Sequence, residues 1–189
     1  QKAALALLEE DFGDHILGTG STRLAEKLQS VLRDQSKTMT SAESCTGGLI
    51  ASMMVREPGS SAVLGTGFVT YANEAKRDQL GVAPTTLKEH GAVSEAVVKE
   101  MLLGALQRSG ANIGVAVSGI AGPGGGTEDK PVGTVWIAWG TEEDLRTHMT
   151  VVSGSRTLFQ NIIAAACLDL MRRHLLELPP LPHYFARQA

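Results

Sequence analysis

Hydrophobic residues follow two patterns along the chain: short apolar runs, and stripes that repeat every three to four residues. The runs predict strands and the stripes predict helices between them. The run 112–118 is almost wholly apolar, which is typical of a central strand covered on both faces. The predicted strands are 38–42, 62–71, 112–118, 132–139 and 146–152, and the last two are expected to form a hairpin.

Capping residues and glycines mark where the predicted helices begin and end. The predicted helix starts are Ser21 or Thr22, Cys45, Asn73, Ser94 and Ser155, with a further turn at 85–89 and an end at Gly81. Strands that alternate with helices and then close with a hairpin predict an α/β fold. We expect a three-layer α/β/α sandwich with a mixed β-sheet.

Composition and charge limit the class of protein. The 189 residues are enough for one domain with a sizeable core. The formal net charge of -3 shows no basic excess of the kind that nucleic-acid binding requires. No apolar run approaches the roughly 20 residues of a membrane span. Two cysteines do not make a disulfide framework, so we expect a cytoplasmic protein. From the charge and the lack of a long apolar run we expect neither nucleic-acid nor membrane partners.

The chain divides into three predicted parts. Residues 1–20 are interpreted as a linker or arm, because Gly18-Thr-Gly20 interrupts regular structure. Such a linker would follow an upstream domain. Residues 21–178 form the predicted domain, and residues 179–189 form a tail after the helix-stopping prolines. A homodimer is the expected form if the chain self-associates, because it is the commonest oligomer.

The segment Ser41-Ala-Glu-Ser-Cys-Thr-Gly-Gly48 places a hydroxyl between a predicted strand and a predicted helix. The first backbone N–H groups of a helix lack internal partners, and the helix dipole is positive there. Such a turn can present Ser44 as a nucleophile and stabilise an oxyanion or a phosphate. Two alternatives stay open. Ser44 can simply cap the helix, and Cys45 can be either a rival nucleophile or a buried thiol.

A serine hydroxyl needs a base before it attacks an amide. Of the five histidines, only His90 lies at a plausible place in the chain. A lysine can serve instead where burial or nearby positive charge lowers its pKa. Lys76 follows a predicted strand, and Tyr71 before it can relay a proton or orient a substrate. The competing interpretation is a solvated lysine on a short helix.

The glycine-rich segment Ser118-Gly-Ile-Ala-Gly-Pro-Gly-Gly-Gly126 follows the most apolar strand. Ligands of open α/β sheets bind beyond the carboxyl ends of strands, and successive N–H groups can form an anion nest. The segment matches neither a Walker A motif nor a dinucleotide fingerprint, so a flexible loop is an equal alternative. Arg156 can pair with a phosphate or lie on the surface. No metal-ligand spacing occurs, which predicts a mechanism without metal or cofactor.

Three segments in this order closely resemble the CinA C-terminal domain family, which includes nicotinamide-nucleotide amidohydrolases (PncC). They are Ala42-Glu-Ser-Cys-Thr-Gly-Gly48, Gly67-Phe-Val-Thr-Tyr-Ala-Asn-Glu-Ala-Lys76 and Ser118-Gly-Ile-Ala-Gly-Pro-Gly-Gly-Gly126. The stretches 90–95 and 130–136 add to the resemblance, which covers roughly residues 22–175. The arm at residues 1–20 resembles the joint that follows the upstream domain in two-domain members.

The resemblance implies an activity and a set of site residues. Members hydrolyse the carboxamide of nicotinamide mononucleotide to nicotinate mononucleotide and ammonia, which recycles pyridine nucleotides. Ser44, Lys76 and Tyr71 correspond to the catalytic positions. The implied substrate-binding residues are Thr46, Gly47, Gly48, Asn73, Gly119, Gly122, Lys130 and Arg156.

One stretch departs from the family pattern. Members usually have Gly-Asp-Arg before the last helix and a second arginine a few residues on. This chain has Gly154-Ser155-Arg156, and residues 158–160 supply no second arginine. The departure supports the alternative of a non-catalytic nucleotide-binding or regulatory domain. A third alternative, a phosphatase or pyrophosphatase, needs metal ligands that the sequence does not offer.

Overall fold

A computed structural model describes residues 12–18 and 20–186 of the chain. Most of the predicted arm, residues 1–11 and Thr19, therefore lies outside the described residues. No helix within the described ranges is long and apolar enough to cross a membrane. The strands are β1 (Met39–Glu43), β2 (Leu64–Val69), β3 (Ile113–Gly119), β4 (Thr134–Gly140) and β5 (Leu145–Val151). The helices are α1 (Leu24–Asp34), α2 (Leu49–Val55), α3 (Asn73–Leu80), α4 (Pro84–His90), α5 (Glu95–Ser109), α6 (Arg156–Leu175) and α7 (His183–Ala186), with 3-10 turns at Gly13–His15 and Ser60–Ala62.

The five strands form one mixed sheet in the order β2-β1-β3-β4-β5. β1 runs parallel to β2 and β3, whereas β4 is antiparallel to both of its neighbours, β3 and β5, which confirms the mixed sheet and the closing hairpin. Glu43 pairs with Val69 on one side and with Val117 on the other. The residues that follow the three parallel strands therefore meet at one edge of the sheet.

Helices cover both faces of the sheet, as predicted. α1, α2 and α6 pack on one face, over a core that includes Val115 and Val117 of β3. α3, α4 and α5 pack on the other, where Gly114 and Ala116 leave room for α5. A Cβ at Gly114 would lie 2.7 Å from Leu102 Cδ1 of α5. Alternation along the strand thus gives β3 a bulky face and a closely packed small face, and the three-layer α/β/α prediction is confirmed.

Two predicted helix caps are wrong. Arg23, rather than Ser21 or Thr22, occupies the cap position of α1, and its N–H donates to the Glu26 carboxylate. Ala72, rather than Asn73, precedes α3, because the first helical hydrogen bond of that helix reaches the Ala72 carbonyl. In both cases a residue without a capping side chain stands where the chain enters the helix.

Two other caps and one helix end are confirmed. The Ser94 hydroxyl accepts from the Val97 N–H at the start of α5. The Ser155 hydroxyl accepts from the Leu158 N–H at the start of α6. Gly81 ends α3 with a φ of 75°, in the left-handed region that favours glycine.

Candidate active site

Ser44 and Lys76 meet at the carboxyl edge of the parallel strands. Ser44 follows β1 directly, and Lys76 lies on α3, which packs against α5 on one side of the sheet. Lys76 Nζ is 3.0 Å from Ser44 Oγ. Both side chains are buried, with residue exposures of 7% for Ser44 and 1% for Lys76. The fold thus brings together two groups that are 32 residues apart in the sequence.

The hydrogen bonds of Lys76 suit a neutral amine as well as an ammonium. Its Nζ also donates to the carbonyls of Thr70 at 2.8 Å and Tyr71 at 3.2 Å. A neutral amine has two donors and one lone pair, so it can donate to both carbonyls and accept the Ser44 hydroxyl proton. Burial lowers the pKa of Lys76, because the charged form loses its hydration. The lysine is therefore placed to act as a base towards Ser44.

The Tyr71 hydroxyl points to a different partner than the sequence predicts. It accepts a hydrogen bond from Arg156 Nη2 at 3.1 Å, and the residue is 62% exposed. Only the backbone carbonyl of Tyr71 contacts Lys76. The predicted proton relay through the hydroxyl is therefore not formed, and Tyr71 lies at the outer rim of the site.

Arg156, the first residue of α6, joins two sides of this rim. Besides Tyr71, it donates from Nη1 to the Gly122 carbonyl at 3.0 Å. Packing requires glycine at 122, since its φ is 76° and a Cβ would lie 2.6 Å from Val132 Cγ1. At Gly119 a Cβ would lie 2.8 Å from the Thr134 carbonyl oxygen. Close packing therefore explains both of these predicted substrate-binding glycines.

Lys130 anchors a loop rather than reaching Ser44. Its Nζ donates to the carbonyls of His90 at 3.0 Å and Val93 at 2.8 Å. The His90 side chain is exposed at the end of α4, and the structure does not bring it to Ser44. Asn73 is exposed at the start of α3. Of the two candidate bases for Ser44, only the lysine is in contact with it.

Glu43 is a buried carboxylate that the sequence analysis missed. It is fully buried and accepts from the Thr46 hydroxyl at 2.7 Å. It also accepts from the N–H groups of Gly48, Ile50 and Ala51 at 2.9 to 3.1 Å. These donors, at the N-terminal end of α2, satisfy the hydrogen-bonding capacity of the buried carboxyl group. An acidic residue ending an apolar strand was the available signal, because a buried carboxylate needs such donors.

The Glu43 contacts correct the predicted oxyanion site. The helix N-terminal N–H groups expected to face a ligand are already bonded to Glu43, and so is the Thr46 side chain. α2 begins only at Leu49, after a turn in which Gly47 and Gly48 have φ values of 64° and 97°. Nothing lies within 4 Å of a Cβ built at Gly47, so this glycine leaves open space at the turn.

One backbone donor of the turn, the N–H group of Thr46, is free. It donates to no backbone carbonyl among the described residues, whereas the N–H groups of Ser44 and Gly47 bind backbone carbonyls and that of Cys45 is directed at its own sulfur. The Cys45 side chain lies in the core, and burial raises the pKa of its thiol to about 12. The thiol therefore stays protonated, which supports the interpretation of Cys45 as a core residue rather than a nucleophile.

Gln160 of α6 also contacts this turn. From the sequence, position 160 was noted only as one of three positions that lack a second arginine. Its Nε2 donates to the Cys45 carbonyl at 2.8 Å. Within the described ranges, no group of three or more histidine, cysteine, aspartate or glutamate side chains is placed to hold a metal ion.

The fold and the site define an α/β protein with a buried serine–lysine pair at the carboxyl edge of three parallel strands. The chain belongs to the CinA C-terminal domain family, whose model matches residues 21–175. It is 43% identical over 185 residues to a CinA-like protein of Colwellia psychrerythraea, covering 96% of this chain and 43% of that protein. A CinA-like protein of Shewanella piezotolerans is 48% identical over 166 residues, with coverages of 87% and 39%. The chain thus spans about two-fifths of these curated relatives.

Solved structures show the same fold. A CinA superfamily protein from Klebsiella pneumoniae aligns with a TM-score of 0.79 and 36% identity, over 82% of this chain and 96% of that one. A competence/damage-inducible protein from Agrobacterium tumefaciens aligns with a TM-score of 0.75 and 44% identity, over 77% and 90% of the two chains. These structures support the α/β sandwich across the region that carries the site.

Proposed function

We propose that this domain hydrolyses the carboxamide of nicotinamide mononucleotide to nicotinate mononucleotide and ammonia, as part of pyridine nucleotide recycling. The observation that carries the proposal is the buried 3.0 Å contact between Ser44 Oγ and Lys76 Nζ. A serine with a desolvated lysine as its base is a nucleophile suited to acyl transfer. The choice of substrate rests on the family resemblance.

The first chemical step forms a bond between Ser44 Oγ and the carboxamide carbon. Lys76, as the neutral amine, takes the hydroxyl proton. Its other two hydrogens remain hydrogen-bonded to the carbonyls of Thr70 and Tyr71. The carboxamide oxygen becomes an oxyanion. The N–H group of Thr46 is the donor of the turn left to stabilise it.

The second step breaks the carbon–nitrogen bond. The leaving nitrogen takes the proton from Lys76 and departs as ammonia, which leaves an ester on Ser44. Water then attacks this ester with Lys76 again as the base, and the proton returns to Ser44 as nicotinate mononucleotide is released. Carboxamide and water thus become carboxylic acid and ammonia, which ionise to carboxylate and ammonium at neutral pH, with no other reactant.

Arg156 is the group best placed for the phosphate of the substrate. Its guanidinium donates to two neutral acceptors, the Tyr71 hydroxyl and the Gly122 carbonyl. Because no carboxylate of the described residues pairs with Arg156, its charge is available to a phosphate at the rim. Residues 158–160 supply no second arginine, so Arg156 would bind the phosphate alone.

An ammonia-release assay with three substrates tests the proposal. We expect turnover of nicotinamide mononucleotide, with much slower release from nicotinamide riboside and nicotinamide, since neither carries the phosphate that Arg156 would bind. Calorimetric binding of the mononucleotide without any ammonia release would contradict the proposal and favour a non-catalytic nucleotide-binding domain.

A further inference from the structure

We propose that Gln160 is a positioning residue, which directs the Thr46 N–H towards the oxyanion of the reaction by holding the Cys45 carbonyl. The inference rests on the proposed role of Ser44 as nucleophile. Its observation is the 2.8 Å hydrogen bond from Gln160 Nε2 to the Cys45 carbonyl, which links α6 to the turn after Ser44. Gln160 does not itself touch the reacting atoms.

Peptide geometry converts this contact into an orientation. The peptide between Cys45 and Thr46 is planar, and in a trans peptide the C=O and N–H point in opposite directions. Fixing the Cys45 carbonyl on Gln160 therefore points the Thr46 N–H away from α6. The sheet separates α6 from α3, which carries Lys76. The N–H is thus directed to the side on which Lys76 meets Ser44.

The orientation of the Cys45–Thr46 peptide needs a contact from outside the turn to fix it. Gly47 and Gly48 follow Thr46 directly, and both have positive φ values. Glycine populates many backbone conformations. The Gly47 N–H donates to the Ser44 carbonyl at 3.1 Å and closes the turn, but turns of types I and II both have this bond and differ in the orientation of the central peptide, here Cys45–Thr46. Glu43 fixes the Thr46 side chain and the N–H of Gly48, but neither of these bonds sets the plane of the Cys45–Thr46 peptide.

Helix α6, which carries Gln160, is held firmly in the fold. α6 has 20 residues, begins at the Ser155 cap and packs against α1 and α2. Phe159, the neighbour of Gln160, is 1% exposed in the core. Gln160 lies one turn beyond Arg156, so the same end of α6 contacts both the rim of the site and the catalytic turn.

Three variants separate positioning from general stabilisation. Gln160→Met keeps the length of the side chain and removes the donor, whereas Gln160→Lys keeps a donor. Gln35→Met is the matched control, because Gln35 Nε2 also donates to a backbone carbonyl, that of Leu175, at 2.8 Å and far from the site. Thermal unfolding of all three reports the loss of stability that each change causes.

Two readouts follow the oxyanion site. The first is kcat and KM for ammonia release from nicotinamide mononucleotide. The second is the rate at which a fluorophosphonate labels Ser44. In that reaction an oxygen–phosphorus bond forms, the phosphorus–fluorine bond breaks, fluoride leaves and the serine proton passes to Lys76. The phosphoryl oxygen takes the place of the oxyanion, so labelling needs no nicotinamide substrate.

Loss of an oxyanion donor typically lowers kcat by about 100- to 1000-fold, and misdirection of one N–H costs part of that. We expect Gln160→Met to lower kcat and the labelling rate by about tenfold or more, with little change in KM. Gln160→Lys should retain both rates within about threefold. Gln35→Met should match the unmodified protein in both, even where it unfolds at a lower temperature.

The outcomes distinguish this inference from the proposed function. Labelling at the unmodified rate in Gln160→Met, or slowed equally in Gln35→Met, would overturn the inference while leaving the amidase proposal intact. If the unmodified protein releases no ammonia but Gln160→Met still slows labelling, the substrate assignment fails and the inference stands. Failure of the unmodified protein to label at Ser44 would overturn both.

Discussion

At the scale of single residues, the site depends on a lysine that is kept out of water. Lys76 is 1% exposed, and its partners are the Ser44 hydroxyl and two carbonyls. No acidic side chain of the described residues forms an ion pair with it, and burial is the main cause that lowers its pKa. A lysine in this setting is a stronger candidate for a base than a solvated one, because more of it is neutral near pH 7.

The pH dependence of the rate tests this state of Lys76. In the proposed mechanism the base is the neutral amine, so kcat/KM for ammonia release should rise with pH and level off once Lys76 is deprotonated. Burial lowers the pKa of Lys76, so the midpoint should lie below the ordinary lysine value of about 10.4. A rate that falls between pH 7 and pH 9, with circular dichroism unchanged, would contradict this role.

Sequence reasoning reached some site residues and missed others for a physical reason. Ser44 and Lys76 lie in motifs that carry the family resemblance, so they could be predicted without knowing their contact. Glu43 and Gln160 contact backbone groups of the turn, and residue types do not reveal such partners. For Glu43 the one available signal was an acidic residue at the end of an apolar strand, and for Gln160 there was none. The contact of the Tyr71 hydroxyl with Arg156 could not be predicted because the two residues are 85 positions apart, and the alternative role of Tyr71, orienting a substrate, stays a prediction.

At the scale of elements, the position of Lys76 depends on how α3 packs against α5. Gly104 of α5 lies against the end of α3, where a Cβ would overlap the carbonyl oxygen of Leu80. The two helices therefore approach each other closely only because residue 104 has no side chain. This contact places α3, and with it Lys76, against the carboxyl edge of the sheet.

Gly104→Ala should lower the free energy of unfolding by about 2 kcal/mol, as overpacking of a core contact does. The gain in helix propensity, about 1 kcal/mol, does not offset an overlap with backbone atoms. Gly65→Ala is the control, since nothing lies within 4 Å of a Cβ built there. Chemical denaturation measures both, and equal stability of the two variants would count against the close approach.

The elements themselves were largely predictable, and their boundaries less so. The apolar run of β3 and the stripes of α5 are local patterns, so strands and helices could be placed from sequence alone. The start of α2 was placed at Cys45 but lies at Leu49. That error arose because Gly47 and Gly48 adopt φ values of 64° and 97°, which are outside the helical region, while the Glu43 carboxylate binds the N–H groups of the first turn of α2.

At the scale of the whole molecule, α6 joins the two ends of the described chain. Arg173 is fully buried and pairs with Asp169 at 3.0 Å and with Asp14 at 3.1 Å. It also donates to the Pro179 carbonyl, and Tyr184 donates to Asp169. The segments before α1 and after α6 are therefore held on the helix that also supplies Arg156 and Gln160 to the site.

Asp169→Asn should destabilise the fold by about 3–5 kcal/mol, because it leaves buried arginine charges without their partner. The control is Asp78→Asn, which breaks the exposed pair with Arg77 and should leave stability unchanged within error. Urea denaturation followed by fluorescence compares the two. A similar small effect for both would show that the Asp169 pairs do not hold the terminal segments.

The central claim is that Ser44 is the nucleophile of an amide hydrolysis. The most direct measurement is kcat for ammonia release from nicotinamide mononucleotide by the unmodified protein and by Ser44→Ala, with Ser52→Ala of the neighbouring helix as the control. We predict a loss of at least about a thousandfold for Ser44→Ala, since nucleophile and base act as a unit, and near-normal turnover for Ser52→Ala. Ammonia release by Ser44→Ala at a rate close to that of the unmodified protein would contradict the account.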